Sequence, residues 1–260
     1  MNKISAYIIC YNEERNIADA VKSVLWADEV VVVDSFSSDR TAEIAESLGA
    51  RVVQIPFEGF GKLRTAAISS TKYDWVFSLD TDERCTEAAR DEMRRIVEMP
   101  DAKDVYYVPR RNVFMGSWIK HCGFYPDYRQ PQLFRRNAMT FDEAKVHEGF
   151  FIHGQIAYMT NFIWQYPYRD LSQLISKMER YSTLGAQKLA DRGRSSSMLT
   201  AFVHGLAAFS RIYLLKMGFL DGWPGFVISF ANFEGTFYRY AKRVEINAGW
   251  DKTGTGIDGQ

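Results

Sequence analysis

The sequence predicts an α/β fold, with a Rossmann-like, mostly parallel central sheet flanked by helices and followed by a helical C-terminal extension. Three observations predict it. Short apolar runs without clean alternation recur at 4–10, 29–33 and 75–79, the pattern of strands covered on both faces. Segments with helical spacing separate them, and strand–helix alternation argues for right-handed parallel crossovers. After about residue 160 the periodicity becomes helical throughout. A chain of 260 residues accommodates one domain with a sizeable extension.

In chain order, Ile4 to Cys10 reads as the first strand and Tyr11-Asn12-Glu13-Glu14-Arg15-Asn16 as the polar turn after it. Ile17, Ala20, Val21, Val24 and Leu25 then recur at helical spacing. Glu29 to Val33 is a second strand ending at Asp34, and a short helix from Thr41 stops at Gly49, as a glycine cap requires. Arg51 to Ile55 is a third strand. The next helix opens at Gly59-Phe60-Gly61 and carries Lys62 and Arg64. Free amides and the helix dipole make that start an anion site, or it is an ordinary glycine-rich turn with solvated bases. It lacks the lysine-serine or lysine-threonine ending of a P-loop.

Trp75 to Leu79 is the strand on which the reading turns, because Asp80 and Asp82 fall at its carboxyl end. Ligands of open α/β sheets bind beyond that end, where two carboxylates one residue apart suit a hard divalent cation beside a phosphate. The alternative is that they are loop carboxylates capping the segment Glu87-Ala88-Ala89-Arg90.

The 32 basic and 32 acidic residues balance, so no strong field draws the molecule towards nucleic acid. From residue 151 onward, however, 12 Lys and Arg stand against 8 Asp and Glu, a surplus of 4 that suits an anionic surface. Cys10, Cys85 and Cys122 have no metal-type pair spacing, and their odd number excludes a complete disulfide framework, so reduced thiols in a cytoplasmic protein are expected. The amino terminus runs straight into a strand pattern and lacks the apolar core of a secretion signal, which predicts a chain that stays where it is made.

In the C-terminal part, Asp170 caps a helix with the stripe Leu171, Leu174, Ile175, Met178, Tyr181 and Leu189, ending near Gly193. A second stripe runs Leu199, Phe202, Val203, Leu206, Tyr213, Leu214 and Met217. Between Arg194 and Arg211 lie 16 uncharged residues interrupted by His204, short of the roughly 20 that a spanning helix needs. An amphipathic helix in the membrane interface, or one packed on the core or a second subunit, is expected instead. Trp223 beside Pro224 and Gly225, followed by Arg239, Lys242 and Arg243, is what an anionic leaflet selects. From Trp250 the Gly-rich polar tail reads as mobile.

Ile8-Ile9-Cys10-Tyr11-Asn12-Glu13-Glu14, Val32-Val33-Asp34-Ser35-Phe36-Ser37-Ser38-Asp39-Arg40-Thr41 and Leu79-Asp80-Thr81-Asp82 together resemble the ordered signatures of family 2 glycosyltransferases. The resemblance implies the GT-A fold, a nucleotide-diphospho-sugar donor and Mg²⁺ or Mn²⁺. It implies that Tyr11, Glu13, Asp34 and Ser35 lie around the nucleoside, Arg64 near the base or diphosphate, Asp80 near ribose and metal, and Asp82 on the metal. The family often has a second aspartate where Ser35 stands and a glycine where Phe36 stands, so base recognition here is expected to differ in detail.

A narrower resemblance lies in Phe124-Tyr125-Pro126-Asp127, Gln132-Leu133-Phe134-Arg135-Arg136 and Val146-His147-Glu148, which are similar to the β-1,4-type glucosyltransferases of the bacterial lipopolysaccharide core. It implies Glu148 as the general base, the alternative being a surface or ion-paired glutamate. Asp127 is the second candidate or an acceptor contact, or part of an ordinary Tyr-Pro-Asp turn; His147 is a further metal ligand, the residue that orients Glu148, or a hydrogen-bonded structural histidine; and the guanidinium of Arg135 suits the diphosphate or an anionic acceptor. Trp118, Phe124 and Tyr125 would form a platform for a sugar ring. A GT-A domain over 1–165 is implied, with a nucleotide-sugar part to about 100 and an acceptor part over 101–165. A helical extension follows over 166–250, and a tail over 251–260.

The function implied is inverting, metal-dependent transfer of glucose from UDP-glucose, or a similar donor, to a lipid-linked envelope saccharide. The enzyme would sit peripherally on the cytoplasmic face of the inner membrane, with a homo-oligomer as the other use of the helical surface. Two rivals remain. One is a nucleotidyltransferase, which would usually have a Gly-Thr-Arg loop where Tyr11-Asn12-Glu13 stands. The other is a non-catalytic scaffold that binds nucleotide sugars or membranes.

Overall fold

The computed structural model describes residues 1–142 and 149–249, so the expected mobile tail and the Val146-His147-Glu148 motif lie outside the described residues. The chain divides into two compact units. Met1–Arg111 and Pro126–Tyr166 form the first; Asn112–Tyr125 joins the chain from Pro167 onward in the second.

The first unit is built on β1 (Ile4–Cys10), α1 (Ile17–Val24), β2 (Glu29–Asp34), α2 (Thr41–Ser47), β3 (Arg51–Gln54), α3 (Phe60–Ser69) and β4 (Trp75–Asp80). There follow β5 (Glu83–Cys85), α4 (Glu87–Glu98) and β6 (Val105–Tyr107), then β7 (Arg110–Phe114) and β8 (Ser117–Trp118), which carry the chain into the second unit. On return come β9 (Pro131–Arg135), β10 (Met139–Phe141), β11 (Phe150–Ile152), β12 (Ile156–Tyr158) and β13 (Ile163–Gln165). Seven of these strands form the central sheet among the described residues, in the order β12-β6-β9-β4-β1-β2-β3. β1, β2, β3 and β4 are mutually parallel where they pair, and β9 alone runs against its neighbours β4 and β6.

Why these runs lack alternation is visible in β1. Ile4, Ala6 and Ile8 pack with Ile17, Val21, Phe77 and Met93 on one face, and Tyr7 and Ile9 pack with Val33, Leu63 and Ala67 on the other. Helices cover both faces, so every position is apolar or buried. Each large side chain withdrawn from water contributes about 1.5–3 kcal/mol. At the entrance to α3, Gly59 takes φ +121°, and a Cβ on Gly61 would fall 2.0 Å from the Asp142 carbonyl oxygen. The two glycines therefore serve backbone geometry and a close approach.

In the second unit α5 (Leu171–Asp191), α6 (Met198–Ser210) and α7 (Gly222–Ala248) dominate. Asp170 caps α5 by accepting from the Gln173 N–H, and Gly193 follows with φ +64°, as the sequence predicts. The stripes behave otherwise. Leu174 alone of the first is buried, while Leu171, Ile175 and Tyr181 are exposed. On α6 the buried residues are Ala201 and Gly205, and Leu199, Phe202, Val203 and Leu206 face out. Small residues let α6 approach α7, where Gly205 lies against Phe233, and the bulky residues are left outside. The helix also continues past Ser210 through a π-helical turn at Arg211–Leu215. The resulting 18 residues, Met198–Leu215, are long and apolar enough to cross a membrane by length and composition. Arg211 ends the uncharged run in the sequence, but the backbone does not break there, so the helix outruns the expected 16 residues.

Candidate active site

Register brings three strand ends together. Cys10 stands opposite Asp34, and Ile9 opposite Asp80, so the turns after β1, β2 and β4 share one edge of the sheet. With strands about 4.8 Å apart, Asp34 and Asp80 sit roughly 10 Å from each other.

The first two turns are stitched to one another. Asn12, at φ +53°, donates its N–H to Ser37 Oγ (2.8 Å) and accepts from the Ser38 N–H (2.8 Å). The Glu13 N–H donates to Thr41 Oγ1 (2.7 Å). Tyr11 is left 60% exposed. Asp34 is fully buried; it accepts from the Ser37 N–H (2.9 Å) and the Ser37 hydroxyl, and lies 3.5 Å from Cys10 Sγ. Its carboxylate thus shapes the turn instead of reaching into solvent. The Ser35 hydroxyl is buried without a partner. Phe36, where the family often has glycine, holds φ +58° with an exposed ring, so the backbone keeps a conformation that glycine adopts freely. Burial, reinforced by Asp34, pushes the Cys10 thiol above its ordinary range and keeps it protonated.

At the end of β4, Arg64 comes up from α3. It is buried, donates through Nη2 to Asp80 Oδ1 (3.1 Å) and reaches Ser78 Oγ (3.3 Å). Lys62, also expected at an anion site, pairs with Glu58 on the helix surface (2.8 Å). Asp82 Oδ2 lies 3.5 Å from Gln165 Nε2, and its carbonyl accepts from the Tyr166 N–H (2.8 Å). Neither aspartate caps α4. Thr86 does so, accepting from the Ala89 N–H, which removes the alternative reading of Asp80 and Asp82.

Behind these aspartates lies a network that sequence reasoning missed. Glu83 is fully buried; one oxygen pairs with Arg110 Nε, and the other accepts from the Asp80 N–H (3.0 Å) and Gln132 Nε2 (2.8 Å). Burial pushes its pKa up, Arg110 pulls it down, and Asp80 and Asp82 push it up again. Arg110 itself is driven up by Glu83 despite its burial. Three N–H donors converge on its two oxygens and none of them accepts, so the ionised carboxylate is the form that the geometry supports. Asp127 is buried beside this pair, bridged to Arg110 through its backbone and bonded to Arg129 Nε (3.0 Å).

The structure corrects the expectation for Arg135. β9 runs antiparallel to β4, so Arg135 pairs with Trp75 at the start of that strand. There it binds Asp74 (2.7 Å) and lies over the Trp75 ring. Five residues of strand, about 16 Å, separate Trp75 from Asp80. Gln132, three residues earlier on β9, is the member of that motif at the Asp80 end. Its amide also donates to the Ser78 carbonyl (3.3 Å). Within the second unit Trp118 and Tyr125 do meet, edge to face at 5.4 Å, with Lys120 over the indole. His147 and Glu148 lie outside the described residues.

Asp80 and Asp82 offer two carboxylates at one strand end, and no group of three or more His, Cys, Asp and Glu residues that could hold a metal occurs among the described residues. That donor set fits a cation bound by one or two carboxylates whose other ligands are water and substrate phosphates. It does not fit an all-protein metal cage.

Compared with known proteins, residues 5–166 match the family model described as Glycosyl transferase family 2. An uncharacterized glycosyltransferase of Rickettsia felis is 30% identical over 257 residues, covering 94% of this chain and 90% of the relative. The lipopolysaccharide core biosynthesis glycosyltransferase LpsC of Rhizobium meliloti is 26% identical over 262 residues, covering 94% and 95%. Among solved structures, S. aureus TarS 1-349 in complex with UDP-GlcNAc overlays with a TM-score of 0.49 at 18% identity, covering 94% of this chain and 88% of that one.

Proposed function

The chain belongs to glycosyl transferase family 2, and from that premise we propose that it moves glucose from UDP-glucose to a lipid-linked envelope saccharide such as the lipopolysaccharide inner core, inverting the anomeric centre. The observation that carries the proposal is the meeting of Asp80, Asp82 and the buried Arg64 at the end of β4. Likeness to LpsC, named for lipopolysaccharide core biosynthesis, supports the choice of acceptor class.

In this reading Tyr11, Glu13 and the Asp34–Ser35 turn bind the nucleoside, with Asp34 holding the turn in shape. Arg64 orients Asp80 and adds positive charge beside the diphosphate. Asp80 and Asp82 hold Mg²⁺ or Mn²⁺, with His147 as a further candidate ligand. When bound, the cation offsets the charge on the leaving diphosphate. Glu83, fixed by Arg110 and Gln132, holds the Asp80 backbone amide and so sets the aspartates in place. Glu148 takes the proton from the acceptor hydroxyl as the glycosidic bond forms and the bond to the diphosphate breaks. Asp127 is the second candidate for that role. The exposed apolar residues of α6 and α7 hold the enzyme on the cytoplasmic face of the membrane, and a second copy of the chain is the competing cover for them.

The test is release of UDP from UDP-glucose in the presence of an inner-core acceptor. Turnover is expected to require Mg²⁺ or Mn²⁺, to stop with chelator, and to fall about 10²–10⁴-fold in Glu148→Gln. Turnover that ignores chelator contradicts the role of Asp82, and an unchanged Glu148→Gln contradicts the base.

A further inference from the structure

In the helical unit a cavity of about 160 Å³ opens between α5 and α7. Lys177 and Arg239 supply its charge, Ser182, Asn232 and Thr236 are among its neutral polar groups, and Leu174 and Met178 form an apolar wall; the Asn232 amide spends one of its N–H bonds on the Ile228 carbonyl (2.8 Å). No carboxylate lines it among the described residues, and Glu179 on the neighbouring turn is paired with Lys242 (3.1 Å). Lys177 is anchored by donating to the Pro167 carbonyl (2.8 Å), which leaves two of its three ammonium hydrogens. Arg239 makes no hydrogen bond or ion pair among the described residues. Its side chain lies across Gly185, where a Cβ would come within 2.7 Å of Nε. Gly235 faces Met178 in the same way at 3.0 Å. Two glycines, one on each helix, thus leave the space in which an arginine lies with its five donors uncommitted.

Two cations with amide and hydroxyl groups beside them are the chemistry of a phosphate diester or monoester site. The apolar surroundings choose among phosphate ligands. Leu171 and Ile175 are exposed at 46% and 55% and precede Leu174 and Met178 by three residues on α5, so they share one face of the helix. Leu199, Leu215 and Trp223 are exposed at 73%, 80% and 75% elsewhere in this unit. A soluble phosphate ester would make no use of such a surface, whereas a lipid would. We propose that the α5–α7 groove is a headgroup site for an anionic membrane phospholipid, with Arg239 and Lys177 on its phosphate and Leu171 and Ile175 against the start of its acyl chains. The inference rests on the membrane reading above and adds to it a defined lipid site.

Two measurements keep the site and the membrane reading separate. The first is flotation of the full chain with vesicles of phosphatidylcholine alone and of phosphatidylglycerol with phosphatidylcholine. Wild type is expected to float with both, more with the anionic mixture; failure to float with either overturns the membrane reading and the lipid site with it. The second is calorimetric titration with monomeric dihexanoyl-phosphatidylglycerol, which presents no charged surface. Saturable binding is expected to weaken about tenfold or more in Arg239→Gln, to recover in part in Arg239→Lys, and to stay unchanged in Arg180→Gln, which removes an equal charge outside the groove. Circular dichroism and the melting midpoint should be the same in all three variants. Wild-type affinity in Arg239→Gln overturns the site. Binding of glycerol 3-phosphate as tight as that of the lipid overturns the choice of a membrane ligand.

Discussion

Among single residues, the buried Glu83 and the half-buried Glu29 tie strands of this sheet together at its two ends. Glu83 works at the site edge. At the opposite edge Glu29 accepts from Ser5 Oγ (2.6 Å), the Lys72 N–H (2.7 Å) and Arg51 Nη2 (2.9 Å), tying β2 to β1, to β3 and to the turn before β4. Burial raises the pKa of Glu29, but those hydrogen bonds outweigh it and leave the group below its ordinary value. A pKa lower in the folded than in the unfolded chain means stability that is complete above the unfolded value, near 4.3, and lost as pH falls through the folded one. Glu29→Gln should therefore cost about 1–2 kcal/mol at pH 7. Urea denaturation should show the gap from wild type holding down to about pH 5 and closing below about pH 4. A gap that stays constant through that range would contradict the assignment.

At the scale of elements, α3 matters most, because it carries Arg64 to Asp80 and its own position depends on Gly61. Adding one methyl there sets a Cβ against the Asp142 carbonyl, and the backbone must move. Gly61→Ala is expected to lower stability by about 1–3 kcal/mol, the range for overpacking, and to weaken UDP binding through displacement of Arg64. A variant as stable as wild type in chemical denaturation would show that the approach is looser than the structure has it. The ends of β1, β2 and β4 were legible because a strand covered on both faces is an apolar run that stops where polar residues begin. Arg135 was misplaced because a motif says nothing of strand direction, and on an antiparallel strand Gln132 is the residue at the site. Glu83, Arg110 and Gln132 are separated by tens of residues, and no local pattern joins them. The stripes on α5 and α6 were read correctly as periodic. Period does not say what covers a face, however, and on α6 the small residues, not the large ones, turn inward.

At the scale of the whole molecule, a net formal charge of zero hides a division of labour. One unit gathers carboxylates and a buried arginine at a sheet edge, and the other presents apolar helices with a cationic groove. In the proposed reaction the nucleotide binds where β4 ends and not where it begins. Calorimetric titration with UDP and Mn²⁺ tests it most directly, because Asp82 and Arg135 lie at opposite ends of the sheet. Asp82→Asn is expected to weaken UDP binding in Mn²⁺ about tenfold or more, the scale of one lost charged contact, while Arg135→Gln binds as wild type does. Full affinity in Asp82→Asn, or an equal loss in Arg135→Gln, would contradict it.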